Sequence, residues 1–360
     1  MDASSIKITE ERMSDYFVGP ISPRDKRRQA QMDALLAQEG IARDKNLSYS
    51  AGIFDDDGQM IATGSLFGNT LRCMAVSSEH RGEGLMADIV AHLVQKQMEL
   101  GHTHLFLYTK VESEKFFAPL GFTKIAQVGD KLVFMENRRD GFSRYIQSLK
   151  AQAYSETPGA ALVMNANPFT NGHDYLVGKA AAENERVVLF VLSEDRSLVP
   201  YEDRMAMVKA AAAKYPNVTV VSSGSYMISS ATFPSYFLKD DALVTATHAR
   251  LDATLFTRIA KELNLTCRYV GEEPFSAATR AYNDALAAVL PEAGVELRVI
   301  PRREQAGTPI SASHVRKLIH DGRIEEIRDL VPQTTYEYLA SEKGVRAVAA
   351  IQASDNVIHH

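Results

Sequence analysis

The sequence predicts an α/β protein of two domains: an N-terminal α+β domain, then a doubly wound, Rossmann-like parallel sheet. Three observations carry that prediction. At 360 residues the chain exceeds what one ordinary core supports. From residue 159 continuous apolar runs alternate with helical stretches, the pattern of a parallel sheet covered on both faces. Before residue 140, short strands are joined by tight-turn chemistry. A composition of 45% hydrophobic and 24% charged residues is that of a globular chain, so no long disordered region is expected.

In the first block, Leu47–Phe54 reads as a strand that reaches a turn at Asp55–Gly58, and Gln59–Leu66 as its hairpin partner. A third strand, Leu71–Val76, leads into the glycine-bearing loop Glu79–Gly84. A helix follows, because Leu85, Ile89 and Leu93 share a stripe with Met86, Val90 and Val94 at i, i+4 spacing. His104–Tyr108 reads as another strand. Phe142–Lys150 has helical character, and the seam falls near Ala151–Gly159, where Pro158-Gly159 signals a turn. The expected division is a domain at 1–140, a linker at 141–158, a second domain at 159–345 and a tail at 346–360. In the second domain the expected strands are Ala160–Met164, Val187–Leu192, Val218–Val221, Ala242–Ala246, Cys267–Val270 and Val295–Ile300. Helices are expected between most of them, including Tyr201–Lys214 and Leu251–Leu263.

Charge and cysteine usage exclude several classes. A net charge of -5 argues against a nucleic-acid-coating surface. Two cysteines, Cys73 and Cys267, make no disulfide framework or paired-cysteine zinc site, and fit a reducing compartment. His102 and His104 are read as surface or core histidines, and no metal ligands are assigned. The N-terminus lacks a basic region followed by an apolar block, and no run of about 18 apolar residues occurs. The expectation is a soluble, cytoplasmic protein without membrane partners.

Chemistry concentrates where the predicted strands end, which is where parallel sheets bind ligands. The first strand runs into Asn165-Ala-Asn-Pro-Phe-Thr-Asn-Gly-His173, with a helix behind it. Pro168 fixes a turn, Gly172 permits close backbone approach, and His173 sits in the opening turn of the helix. Free N–H groups and a positive dipole end suit phosphates there. A histidine in that place can donate to a phosphate oxygen as charge moves to the leaving group. A second helix opens with Ile310-Ser-Ala-Ser-His-Val-Arg316, where Ser311 can cap and Arg316 offers a fork of donors.

Thr170–His173 resembles the Thr/His-x-Gly-His motif of the nucleotidyltransferase superfamily. Ile310–Arg316 is similar to its Ile-Ser-x-Ser/Thr-x-x-Arg pattern. Longer stretches resemble the citrate lyase ligase family: Val163–His173, Ala231–Leu238, Tyr269–Phe275, Thr279–Asn283 and Ile310–Arg316. The first block looks like a GNAT-type acetyltransferase domain, with Arg81-Gly-Glu-Gly84 at the cofactor loop. Met86 departs from that pattern, standing where a small residue is usual, which puts acetyl-CoA turnover in doubt.

The resemblance implies a two-step ligase. ATP, with Mg2+, and acetate would give acetyl-adenylate; the acetyl group would then pass to the prosthetic-group thiol of the citrate lyase acyl-carrier subunit. The residues it places in catalysis are His173, Thr170 and Arg316. Those it places at the nucleotide are Asn165, Asn167, Pro168, Phe169, Gly172, Gly271, Glu272, Ile310, Ser311 and Ser313; Asn165 and Asn167, at the end of the first strand, either face the substrate or hold the loop's shape. Glu273 shares the alternatives of Glu272: ribose contact, metal contact, orienting Arg280, or a solvated loop. Arg302-Arg303 either hold phosphate, meet an acidic carrier or form a plain surface pair. Arg204 either reaches the site or forms surface salt bridges. Thr232–Phe237 either walls the acyl group or packs a crossover. The competing functions are an adenylyltransferase of the phosphopantetheine adenylyltransferase type and a non-catalytic ATP and acetyl-CoA sensor.

Overall fold

The computed structural model describes residues 16–193, 197–227, 233, 234, 236, 241–272, 277–305 and 308–357. The chain divides into two units. The first takes Met1–Arg139 together with Pro234–Lys239; the second takes Asp140–Phe233 and Asp240–His360.

In the first unit the elements run β1 (Val18–Pro20), α1 (Lys26–Gln38), β2 (Tyr49–Phe54), β3 (Met60–Phe67), β4 (Thr70–Val76), α2 (Leu85–Glu99), β5 (Phe106–Thr109), α3 (Glu114–Phe117), β6 (Thr123–Val128) and β7 (Leu132–Glu136). Among the described residues they form a seven-stranded sheet, β1-β2-β3-β4-β5-β7-β6, in which only β4 and β5 pair in parallel. The expected hairpin is β2–β3. The apolar stripe of α2, Leu85, Ile89 and Leu93, is buried against Ile53, Ile61, Leu66 and Leu71. A second cluster holds Met32, Leu35 and Leu36 of α1 with Met60, Cys73, Ala75 and Tyr236.

The second unit opens with α4 (Gly141–Ala153) and continues through β8 (Gly159–Met164), α5 (Asn171–Glu183), β9 (Val187–Val191), α6 (Tyr201–Ala212), β10 (Val218–Ser222), α7 (Asp241–Glu262), β11 (Leu265–Gly271), α8 (Ala277–Val289) and β12 (Glu296–Ile300). It closes with α9 (Ala312–His320), α10 (Gln333–Ala340) and α11 (Val345–Gln352). Its sheet, β10-β9-β8-β11-β12, is parallel throughout. Strand order reverses between β8 and β11, which makes their carboxyl ends the topological switch point.

Three boundaries differ from the sequence reading. Ala242–Ala246 is not a strand but part of α7. The spacing Val244, His248, Leu251, Leu255, Ile259 carries a helical stripe straight through that apolar run, and the last four of these are buried. Residues 141–158 are not simply a linker: α4 buries Phe142, Ile146 and Leu149 inside the second unit. The Pro158-Gly159 turn therefore lies inside that unit. Of the expected tail at 346–360, the described residues 346–357 pack into the second unit, since Ala347, Ile351 and Val357 join the cluster that holds Val177 and Val315. Among the described residues no helix is long and apolar enough to cross a membrane.

Candidate functional site

The loop between β8 and α5 is locked from three sides. Asn167, 2% exposed, accepts the Val199 N–H on Oδ1 at 3.0 Å. Its carbonyl accepts Nη1 of Arg316 at 2.6 Å. Its Nδ2 is buried with no partner. The Asn167–Pro168 peptide is cis. Phe169 is fully buried, and its ring lies under His173 with centroids 5.5 Å apart and planes 23° from parallel.

Thr170 caps α5. Its hydroxyl accepts the His173 N–H at 3.3 Å, and its own N–H donates to Nδ1 of His173 at 3.0 Å. Since Nδ1 accepts a hydrogen bond from the backbone N–H, the ring's own proton resides on Nε2. Desolvation and then the charge of Arg302 pull the imidazole down to about 4, so it is neutral at physiological pH. The capping box thus builds a neutral histidine that presents an N–H donor at the opening turn of a helix.

The start of α9 meets that loop. Ser311 caps α9 by accepting the His314 N–H at 3.2 Å, and its hydroxyl lies 3.1 Å from that of Ser313. Ile310 is buried, and a β-carbon on Gly172 would lie only 3.1 Å from its carbonyl oxygen. The close approach that Gly172 permits is therefore to the α9 lead-in. Arg316, expected at phosphates, is 3% exposed and donates to the carbonyls of Asn167 and Val357, the latter at 2.7 Å. Burial pulls its guanidinium down to about 10.

On the other side of the switch point, β11 ends at Gly271, whose position has no atom within 4 Å of where a β-carbon would lie. The Glu272 side chain is exposed; its N–H donates to Ile300, and its carbonyl accepts Nε of Arg302 at 2.8 Å. Arg303 is exposed, and its carbonyl accepts the Ile310 N–H. Glu273 lies outside the described residues, as does half of Thr232–Phe237; of that segment Phe233 faces His248, ring centroids 5.0 Å apart, and Tyr236 belongs to the first unit.

Arg204 is not a surface residue. It is fully buried and donates from Nη1 to Asn165 and Leu192 and from Nε to Val199, fastening the ends of β8 and β9 to the start of α6. Its spacing of four from Val208 and seven from Ala211, both buried, was the available signal. Sequence reasoning also missed Ser193 and Ser223, just beyond β9 and β10, and Ser197, in the segment before α6, serines with no motif around them. In the first unit, Arg81 pairs with Glu39 at 2.7 Å and Met86 is half-buried. Burial pushes the Cys73 thiol up to about 12, which makes it unreactive.

A parallel sheet with two capped helix starts meeting beside its switch point defines a two-unit α/β enzyme with a Rossmann-like second half. A family model described as the citrate lyase ligase C-terminal domain matches residues 159–339. The [citrate [pro-3S]-lyase] ligase of Escherichia coli K12 is 37% identical over 332 residues, 90% of this chain and 94% of that protein. Those of Klebsiella pneumoniae and Haemophilus influenzae are 36% and 32% identical, covering 88% and 86% of this chain and 94% of each relative. A solved acyl-CoA N-acyltransferase from Pseudomonas aeruginosa covers 34% of this chain and 99% of its own, at 15% identity and a TM-score of 0.29. The chain belongs to the citrate lyase ligase family and is a ligase.

Proposed function

We propose that the chain uses ATP and acetate to acetylate the prosthetic-group thiol of the citrate lyase acyl-carrier subunit, activating citrate lyase in a cytoplasmic compartment. The names of the relatives support the lyase as target. The observation that carries the chemistry is His173, held neutral with Nε2–H as donor at the start of α5.

In the first step an acetate oxygen attacks the α-phosphorus and the bond to the β-phosphate bridge breaks, giving acetyl-adenylate and pyrophosphate. His173 donates its Nε2–H to the departing pyrophosphate, where negative charge grows. Ser311, Ser313 and the first amides of α9 receive the same phosphates, and Arg302 adds positive charge from across the switch point. Arg316 acts from behind, holding the Asn167 carbonyl so that the loop keeps its shape. In the second step the carrier sulfur, having lost its proton to solvent, attacks the acetyl carbon and AMP leaves. Among the described residues no group of three or more His, Cys, Asp or Glu could hold a metal. The described residues thus offer no such cage for Mg2+, and an ion arriving on the triphosphate needs none.

The test is pyrophosphate release from ATP and Mg2+ with acetate and the thiol-form carrier subunit. Release that requires acetate, yields AMP and labels the carrier is expected. A stable adenylylated product without acetate dependence would replace this reading with an adenylyltransferase.

A further inference from the structure

The carboxyl edge of the parallel sheet has two halves, and only one has been given a ligand. Arg302, Ser311 and Ser313 lie on the half formed by β11, β12 and α9. On the β8, β9 and β10 half stand Asn165, Ser193, Ser197 and Ser223, which among the described residues carry hydroxyl and amide groups and no charge.

We infer that Asn165 and Ser197 recognise the carboxylate of the acid substrate, with Arg204 as the residue that positions them. The inference rests on the ligase reading and adds the place where the acid binds. Nη1 of buried Arg204 donates to both the carbonyl and Oδ1 of Asn165, each at 2.8 Å. With Oδ1 held against the guanidinium, the amide nitrogen must face the other way. It does so, donating to Oγ of Ser197 at 2.9 Å. Oγ of Ser197 lies 3.1 Å from Oδ1 as well, so the two side chains satisfy one another. Both are half-buried: Asn165 directly follows β8, and Ser197 lies in the segment between the neighbouring strand β9 and α6. A carboxylate brings two acceptor oxygens, which match the second Nδ2–H of Asn165 and the Ser197 O–H once that hydroxyl turns from Oδ1 to the ligand, and the charge of Arg204 lies behind the pair. A phosphate, with more oxygens and more charge, is better served by the other half, where cation and helix start face outward. An acid placed here meets the loop that leads from β8 to α5 and His173.

The experiment is steady-state pyrophosphate release by wild type, Asn165→Asp and Ser197→Ala, with acetate and ATP varied separately. Asn165→Asp keeps an acceptor for Arg204, so the loop retains its anchor, but it replaces the donor with a negative charge. The expected result is a KM for acetate raised about 10- to 100-fold, the range for losing a hydrogen bond to a charged group, with the KM for ATP unchanged. Ser197→Ala should raise the KM for acetate about fivefold in the same selective way. A rise confined to the KM for ATP, or no change in either, overturns the inference. If Asn165→Asp does not fold, Ser197→Ala decides. A wild type without acetate dependence sinks the ligase reading itself, and the inference with it.

Discussion

Thr170 and Ser311 cap their helices in the same way, each accepting the N–H of a histidine three residues on, His173 in α5 and His314 in α9. The two histidines then part. His173 folds back over Phe169 and takes the Thr170 N–H on its ring, whereas His314 stands exposed in solvent. The residue before the cap differs: a buried aromatic in one, Ile310 in the other. A hydroxyl cap followed by histidine is thus insufficient to fold the imidazole back on the helix start; a flat apolar shelf lies beneath the ring that does so, and the Thr170 N–H on Nδ1 sets its tautomer.

The strongest test of that difference is to remove each ring. His173→Ala should reduce pyrophosphate release by about 10²- to 10³-fold, the usual cost of one preorganised donor to a growing negative charge. His314→Ala should leave the rate unchanged. Equal losses would break the comparison. His173→Gln, which can place an amide N–H near the former Nε2, should recover part of the rate.

Next in size is Arg316→Ala. If the guanidinium acts by clamping carbonyls, its loss strands two buried acceptors at about 1–3 kcal/mol each, read as a lowered midpoint in denaturant. A large rate loss with unchanged stability would instead return Arg316 to the phosphates. A smaller effect follows from the histidine's titration. His173 is held at about 4 in the folded chain against an ordinary value of 6.5. Above pH 6.5 neither state binds the proton; as pH falls below it the unfolded chain does so first. Stability is therefore full above 6.5 and declines toward pH 4. Thermal melts should show His173→Gln losing less than wild type across that window. The smallest effect on stability is that of the caps: Thr170→Ala and Ser311→Ala should each cost about 1 kcal/mol, and both should lower the rate, the former through the His173 ring and the latter through the phosphates that Ser311 receives.

Much of this arrangement was legible in the residues. Strand, loop and helix around Asn165–His173 follow from an apolar run, a proline and a capping threonine, all local signals. Ser311 as a cap was legible for the same reason. Arg316 and Arg204 were harder. An arginine reads as a solvent group, and only its helical spacing from Val208 or Ile319 shows that it points inward. Which carbonyls it would meet depends on Val357 and Asn165, distant in sequence. Ala242–Ala246 misled for the opposite reason: a five-residue apolar window fits strand or helix alike, and the deciding periodicity lies outside it.

Tyr236 carries a consequence for the order in which the protein is made. It is 7% exposed within the α1 cluster of the first unit, and its carbonyl accepts the Ala42 N–H at 2.6 Å. The nascent chain therefore cannot complete its first core when residue 139 leaves the ribosome. That core waits for nearly a hundred further residues of the second unit to be synthesised, from Asp140 to Phe233. A protein cut at the apparent boundary near residue 140 would be missing a piece of its first half, and the two halves cannot be exchanged as cassettes by a single splice.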